Sequence, residues 1–151
     1  MQNQESNLVY VVVLSHATPE WSQIPWIEFV TKKKLYFHHC GVNGWPKDPP
    51  TYLGFRYDGK LQSIHHVERY KIVPDISAHI AEIDGAKLKK LGWPNQLLYE
   101  LGPAIEPPHE VKTGKIYPNG RVWAAIDLLL TCKTISDARA QTKERLNKEV
   151  K

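Results

Sequence analysis

Hydrophobic positions along this chain of 151 residues form short runs and alternating stretches, separated by frequent glycine and proline. The pattern is typical of a sheet of short strands, because alternation places every second side chain on one face. Residues 8–14 form a continuous β-branched run, which predicts a buried strand and a candidate for the central one. Residues 35–40 and 97–101 predict two further strands.

The segment of residues 52–73 predicts a β-hairpin around which the rest of the chain is organised. Asp58-Gly59 separates two strand-like runs, and this dipeptide favours a type I′ turn, which needs positive φ at both central residues. The expected cross-strand pairs are Tyr57 with Lys60, Phe55 with Gln62, and Leu53 with Ile64. Gly54 then lies opposite Ser63 with little side-chain cover. Such a position indicates close approach of a ligand, a bulge or a tight packing contact.

A second hairpin is predicted with its turn at Asn119-Gly120. Its strands would be residues 111–117 and 121–126. Residues 128–131 would then close the second strand or start a turn.

Helices are expected in three places. Pro25 suits the first turn of a helix that ends near Lys33, and residues 76–90 are helical in part. Thr134 has the spacing of a capping box, with an acidic residue three positions later, and its helix extends to about Asn147.

These elements predict an α+β fold with five or six strands and two or three flanking short helices. A small mixed, mostly antiparallel sheet that curls toward a β-barrel fits the two tight hairpins. By its length the chain is expected to form one domain, residues 1–151, with frayed ends at residues 1–6 and 148–151.

The net charge and the cysteine content narrow the predicted partners and the predicted cellular compartment. The net charge of +4 favours an anionic partner, although a basic chain can also simply stay soluble. Cys40 and Cys132 form no CxxC pair and no secretory signal is visible, which predicts a reduced, cytoplasmic protein. The apolar run of residues 8–14 is too short to span a bilayer, so no membrane partner is expected.

Two histidine pairs raise the question of a metal site: His38-His39, followed by Cys40, and His65-His66. Neighbouring residues on a strand point to opposite faces, so each pair offers at most one ligand to a given site. The chain also has no HExxH motif, P-loop, GxGxxG or GxSxG. The sequence therefore predicts no metal and no other cofactor.

Basic and aromatic residues interleave in the predicted strands and turns, which favours binding of RNA or DNA. Phosphates need cations, and unpaired bases stack on aromatic rings. A cleft near the central hairpin is predicted to hold one flipped base, with Trp45, Arg56 and His65 around it. The rim of this cleft would carry Lys112, Lys115, Arg121 and Trp123. The same interleaving also arises where core aromatics alternate with solvated charges on a half-exposed sheet.

Three stretches of the chain resemble PUA-like domains, the superfamily that includes the ASCH, EVE and SRA domains. They are YLGFRYDGKLQSIHHVERYKIV, the Tyr57-Asp58-Gly59 segment with Val67-Glu68 and Tyr70 after it, and KTGKIYPNGRVWAAID. The resemblance covers residues 8–131 and implies a PUA-like fold that reads RNA or modified DNA bases without catalysis. The ASCH signature GxKxxExR is absent, so no catalytic residue is carried over.

Two other functions stay open from the sequence. A small hydrolase or nuclease-like enzyme of a defence or RNA-processing system would use His65 or His66 with Glu68. A protein-interaction subunit would instead form a homodimer through residues 126–130 and the last helix.

Overall fold

The computed structural model describes residues 7–40, 48–117 and 120–150 of the chain. In chain order the elements are β1 (Leu8–Val13), α1 (Trp26–Thr31), β2 (Leu35–His39), β3 (Tyr52–Tyr57), β4 (Lys60–Val73), a 3₁₀ turn (Ile76–Ala78), α2 (Gly85–Leu91), β5 (Gln96–Leu101), β6 (Val122–Ala125), α3 (Ile126–Thr131) and α4 (Ile135–Val150).

The described elements form a mixed α+β fold with a mostly antiparallel, open six-stranded sheet and four α-helices. This confirms the predicted fold class at that level. The strand order is β2-β5-β4-β3-β1-β6, and only the β1–β3 ladder in it is parallel.

The chain divides into two compact units. The first comprises Met1–Leu14, Pro50–His66 and Pro103–Lys151, and the second Ser15–Pro49 and Val67–Gly102. The strand β4 contributes its first seven residues, 60–66, to the first unit and its last seven, 67–73, to the second.

The first unit has an aliphatic core. Val9 and Val11 of β1 are fully buried there, as expected for the predicted inner strand, together with Leu129 of α3 and Ile135 of α4. Alternate positions of β1 face this core because successive side chains on a strand point to opposite sides.

The central hairpin forms as predicted at its turn, where Asp58 and Gly59 have φ of 55° and 78°. Tyr57 pairs with Lys60, which confirms the first expected contact. The other two pairs are wrong, because an irregularity between Phe55 and Arg56 shifts the register by one residue. Phe55 therefore pairs with Ser63, Leu53 with His65, and Gly54 with Ile64.

The close contacts around Gly54 indicate its role in the fold. A Cβ at this position would lie 3.0 Å from Val9 Cγ1 and 3.3 Å from Val11 Cγ2. Of the readings open from the sequence, tight packing against β1 is the one that these contacts support.

The predicted second hairpin is wrong. Residues 111–117 form no regular strand. Instead they run beside the first hairpin, where Val111 O accepts a backbone hydrogen bond from Leu61 N and Thr113 N donates one to Gly59 O. The strand β6 pairs with β1 rather than with this segment. Of the predicted turn, Asn119 lies outside the described residues.

The predicted strand ending or turn at residues 128–131 is also wrong, because this apolar run belongs to helix α3. The capping of the last helix is confirmed: Thr134 Oγ1 accepts a hydrogen bond of 3.0 Å from Asp137 N. Thr142 then joins two elements, since its buried hydroxyl donates to Ala138 O at 2.7 Å and accepts from Ala125 N at 2.9 Å.

The second unit has an aromatic core beneath the strands β2, β5 and the second half of β4. Phe29 of α1 and Phe37 of β2 meet there edge to face, with ring centroids 5.4 Å apart. The predicted helix after Pro25 and the strands near residues 35–40 and 97–101 are confirmed with small shifts of their ends. Helix α2 begins at Gly85 and ends at Leu91, and Gly92 caps it with a φ of 65°.

Among the described helices, none has both the length and the apolar character needed to cross a membrane.

Candidate nucleic-acid interface

Arg56 of β3 holds in place the loop that leads into β6. Its side chain is buried, and Nη2 donates hydrogen bonds of 2.8 Å to Tyr117 O and 2.9 Å to Gly120 O. Burial lowers the pKa of Arg56, yet a guanidinium stays a cation at neutral pH. Nη2 thus joins two backbone carbonyls, so a role of Arg56 in the first unit is to position Tyr117 and Gly120.

Two aromatic side chains flank this loop at the surface. Tyr117 is 86% exposed, and Trp123 on β6 is 41% exposed. The Trp123 ring lies 4.6 Å from the ring of Tyr10, its partner across the β1–β6 ladder. Burial raises the pKa of Tyr10, and the positive charge of Arg121, two residues before Trp123 in the chain, opposes part of that rise.

Four lysines lie where the segment after Val111 passes the start of α4. We call them the lysine strip: Lys60, Lys112, Lys115 and Lys133. Lys112 forms an antiparallel bridge with Lys60, and its backbone N donates to Lys133 O at 3.0 Å. Lys115 N donates to Ser136 Oγ at 3.2 Å. Lys112, Lys115 and Lys133 are exposed, so the strip presents positive charge to solvent.

Sequence reasoning predicted only Lys112 and Lys115 of this strip. Lys60 and Lys133 lie next to Lys112 through backbone pairings that are distant in sequence. The sequence predicted both the turn at Gly59 and the cap at Thr134. It also predicted that residues 111–117 form a hairpin strand, so it did not show that the four lysines lie close together.

The remaining predicted base contacts are placed differently. His65 is 2% exposed, with Nε2 2.9 Å from Ser63 Oγ and its ring edge to face with Phe55. The structure thus places His65, like Arg56, in the interior and separate from the exposed rim residues. Trp45 lies outside the described residues.

The histidines of β2 are engaged with neighbours in the second unit. His38 Nε2 lies 2.6 Å from the Tyr99 hydroxyl, and His39 Nδ1 lies 2.6 Å from Gln96 Nε2. Within residues 7–40, 48–117 and 120–150, no group of three or more His, Cys, Asp or Glu side chains is arranged to hold a metal ion.

The two histidines offered to the alternative catalytic site do not share a face. His65 and His66 are successive on β4 and therefore point to opposite sides of the strand. The ring of His66 packs edge to face against Tyr52, and Glu68 is exposed next to a register shift between β4 and β5.

The apolar segment predicted as a dimer interface lies largely inside the first unit. Leu128 and Leu129 of α3 belong to its aliphatic core, and Ile126 and Leu130 pack against that core. A homodimer stays a prediction, but this segment offers it little free apolar surface.

Comparison with protein-family models, with curated proteins and with solved structures gave no match to this chain. The first unit combines two exposed aromatic rings, those of Tyr117 and Trp123, with exposed lysines.

Proposed function

We propose that this protein is a non-catalytic nucleic-acid-binding module that holds a modified or flipped base of RNA or DNA. The lysine strip and Arg121 contact phosphates, and Trp123 provides the surface on which a base stacks. Arg56 supports this surface from within by binding the carbonyl oxygens of Tyr117 and Gly120. Trp45 stays a predicted base contact under the same proposal, whereas the buried His65 supports the strand β4 from within.

One observation carries the proposal: a half-exposed Trp123 on the edge strand β6, two residues after Arg121, in a unit that also exposes Lys112 and Lys115. Cations neutralise phosphates, and an aromatic face accepts any unpaired base. The buried ring of Tyr10, 4.6 Å from the Trp123 ring, supports the indole from behind and limits its freedom before a ligand arrives.

Phosphate contact is tested with Lys115→Ala and Arg121→Ala. Each should weaken binding of a fluorescein-labelled RNA or DNA strand regardless of its sequence, and reduce the slope of log K against log salt by about 0.7 to 0.9. Lys143→Ala, an exposed cation on α4, is the matched control and should leave the slope unchanged. Unaltered anisotropy curves for both variants would remove the phosphate assignment.

Base stacking is tested at Trp123. Trp123→Ala should weaken binding to single strands by about 1–3 kcal/mol, while Trp123→Phe retains much of the affinity. An unstacked base is absent from an intact duplex, so the loss should be smaller for perfectly paired DNA. Equal losses for both substrates would show that Trp123 does not read an unpaired base.

The finer fold assignment belongs to the same proposal. A PUA-like arrangement agrees with the mostly antiparallel sheet and with the Tyr-Asp-Gly turn between β3 and β4. Nucleoside mass spectrometry of nucleic acid recovered with the protein from cells tests the base reading that such a fold implies. Enrichment of one modified nucleoside over the input is expected, and a composition equal to the input would contradict base reading.

A further inference from the structure

The second unit contains a cavity that the proposed function does not use. Its volume is about 520 Å³, which lies in the range of small-molecule sites. It is bordered by the 3₁₀ turn, by α2 and by the residues that lead into β5. The side chains that matter here are Asp75, Leu88, Lys89, Trp93 and Gln96.

Gln96 lines this cavity and carries a buried acceptor without a partner among the described residues. The residue is 2% exposed, and its Nε2 donates to Pro94 O at 3.0 Å and lies 2.6 Å from His39 Nδ1. The Pro94 carbonyl can only accept, which fixes the amide nitrogen on that side and leaves Oε1 on the other. Gln96 Oε1 is buried and has no hydrogen-bond partner among the described residues. A buried acceptor of this kind is unfavourable unless a ligand or water supplies a donor.

Trp93 adds a flat surface to the same cavity. Its ring is half-buried and makes near-perpendicular contacts with Trp21 and His39, both with centroids 4.9 Å apart. These contacts hold the indole in one orientation. An oriented indole next to a buried acceptor suits a planar heteroaromatic ring that carries an N–H group.

One cation in the cavity lining can pair with an anionic group on that ligand. Lys89 of α2 is exposed and lines the cavity. The opposing acid, Asp75, already accepts bonds from Ser77 N at 3.0 Å and Ser77 Oγ at 2.5 Å. Lys89 is thus the side chain here that is suited to a phosphate.

We propose that this cavity binds a nucleoside monophosphate. The base lies against Trp93 and donates an N–H to Gln96 Oε1, and the phosphate pairs with Lys89. The site belongs to the second unit alone and does not depend on the nucleic-acid surface of the first.

The test is a titration of the full-length ¹⁵N-labelled protein with AMP, adenosine and inorganic phosphate in separate arms. AMP should shift the Trp93 indole and Gln96 side-chain amide signals saturably, and adenosine should shift the same signals with weaker affinity. Lys89→Ala should weaken AMP about tenfold, as expected for a charge-assisted contact, and leave adenosine unchanged. Lys90→Ala, the exposed neighbour that does not line the cavity, should change neither.

Several results would overturn the assignment. They are no saturable shift up to ~10 mM AMP, shifts confined to other residues, equal effects of the two lysine variants, or phosphate alone shifting Trp93 as strongly as AMP. Gln96→Met should abolish the AMP and adenosine shifts; if this variant is unfolded, the Lys89 and Lys90 pair decides. Arg121→Ala should leave the AMP titration intact, so failure here and failure of nucleic-acid binding are separate outcomes.

Discussion

At the scale of single residues, the polar side chain with the clearest structural role is Arg56. It replaces the hydration of two carbonyl oxygens, Tyr117 O and Gly120 O, with charge-assisted bonds from one nitrogen. The rim residue Arg121 follows this loop directly in the chain. If a substitution of Arg56 weakens binding, the loss should therefore be attributed to disturbed structure before it is attributed to a lost contact with the ligand.

Arg56→Met should lower the free energy of unfolding by about 3 kcal/mol, because two carbonyls lose a charged donor and the long side chain is replaced by one that cannot donate. Urea unfolding followed by circular dichroism measures the change. Arg121→Met is the matched control on the surface and should shift stability by less than about 0.5 kcal/mol. Equal stabilities for wild type and Arg56→Met would contradict the positioning role.

Gly54→Ala should destabilise the protein by about 1–3 kcal/mol, because the new methyl group would crowd Val9 Cγ1 at 3.0 Å. Adding Val9→Ala removes that methyl contact. The double variant should therefore be more stable than the sum of the two single losses predicts. Strict additivity in urea unfolding would mean that Gly54 is not in steric contact with β1.

At the scale of elements, β6, α3 and α4 form a connected series in which each junction has its own polar link. Thr142 of α4 binds the backbone where β6 meets α3. Further along the helix, Arg145 pairs with Asp127 of α3 through two bonds of 3.0 and 2.9 Å. The first link is buried and the second is exposed, so their energies should differ.

Thr142→Val should cost about 1–3 kcal/mol of stability, because it has nearly the same shape but leaves Ala125 N without its acceptor. Thr142→Ser keeps the hydroxyl and should lose less. Guanidinium unfolding of the two variants separates the hydrogen bond from the packing. A valine variant as stable as the wild type would show that the hydrogen bond to Ala125 N contributes no stability.

The Asp127–Arg145 pair predicts a small pH dependence. Hydrogen bonds from Arg145 hold the pKa of Asp127 below its ordinary value, so the carboxylate stabilises the fold above the unfolded pKa of about 3.9. That stability is lost as the pH falls through the folded pKa. Because solvent screens this exposed pair, Asp127→Asn should cost only about 0.5 kcal/mol at neutral pH and almost nothing near pH 2.

The control for this pair is Glu144→Gln, an acid-to-amide change on the exposed surface of α4. It should leave the stability curve unchanged between neutral and acidic pH. A loss for Asp127→Asn that is the same at both pH values would show that the ion pair contributes no stability.

The elements that the sequence predicted well are those set by local chemistry. Asp58-Gly59 forms its turn because both residues accept positive φ, and Thr134 caps α4 because its hydroxyl reaches a backbone N–H three residues on. The errors come from distant partners. Asn119-Gly120 resembled a hairpin signal, yet β6 pairs with β1, more than a hundred residues away in sequence.

Two further errors follow from the same limit. The run after Ile126 is apolar and short, and such a run fits a helix or a strand until its neighbours are known. The candidate site was half predictable: the exposed Lys112, Lys115 and Trp123 were found, whereas the burial of Arg56 and His65 depends on tertiary packing that composition does not reveal.

At the scale of the whole molecule, the two units differ in what fills them. The main buried cluster of the first is aliphatic, whereas that of the second combines tryptophan and phenylalanine with aliphatic side chains. A single uninterrupted strand, β4, supplies a ladder to each. Unfolding of either unit alone would leave half of that strand without its partner, which favours a cooperative transition.

This cooperativity can be measured through tryptophan. In a Trp123→Phe background, the four other tryptophans all belong to the second unit's segments of the chain, so fluorescence reports on that unit. Adding Thr142→Val weakens only the first unit directly. The fluorescence midpoint in urea should nevertheless fall, and a midpoint that stays in place would mean that the units unfold independently.

The brevity of β6 has a consequence for solubility. As far as the described residues show, this strand is the outer edge of the first unit's sheet, and it spans four residues before the chain turns into α3. Open sheet edges are templates on which other chains can add strands and grow into aggregates. A template this short offers an incoming chain only about two backbone bonds, so the protein can keep Trp123 accessible at its margin without inviting fibre growth.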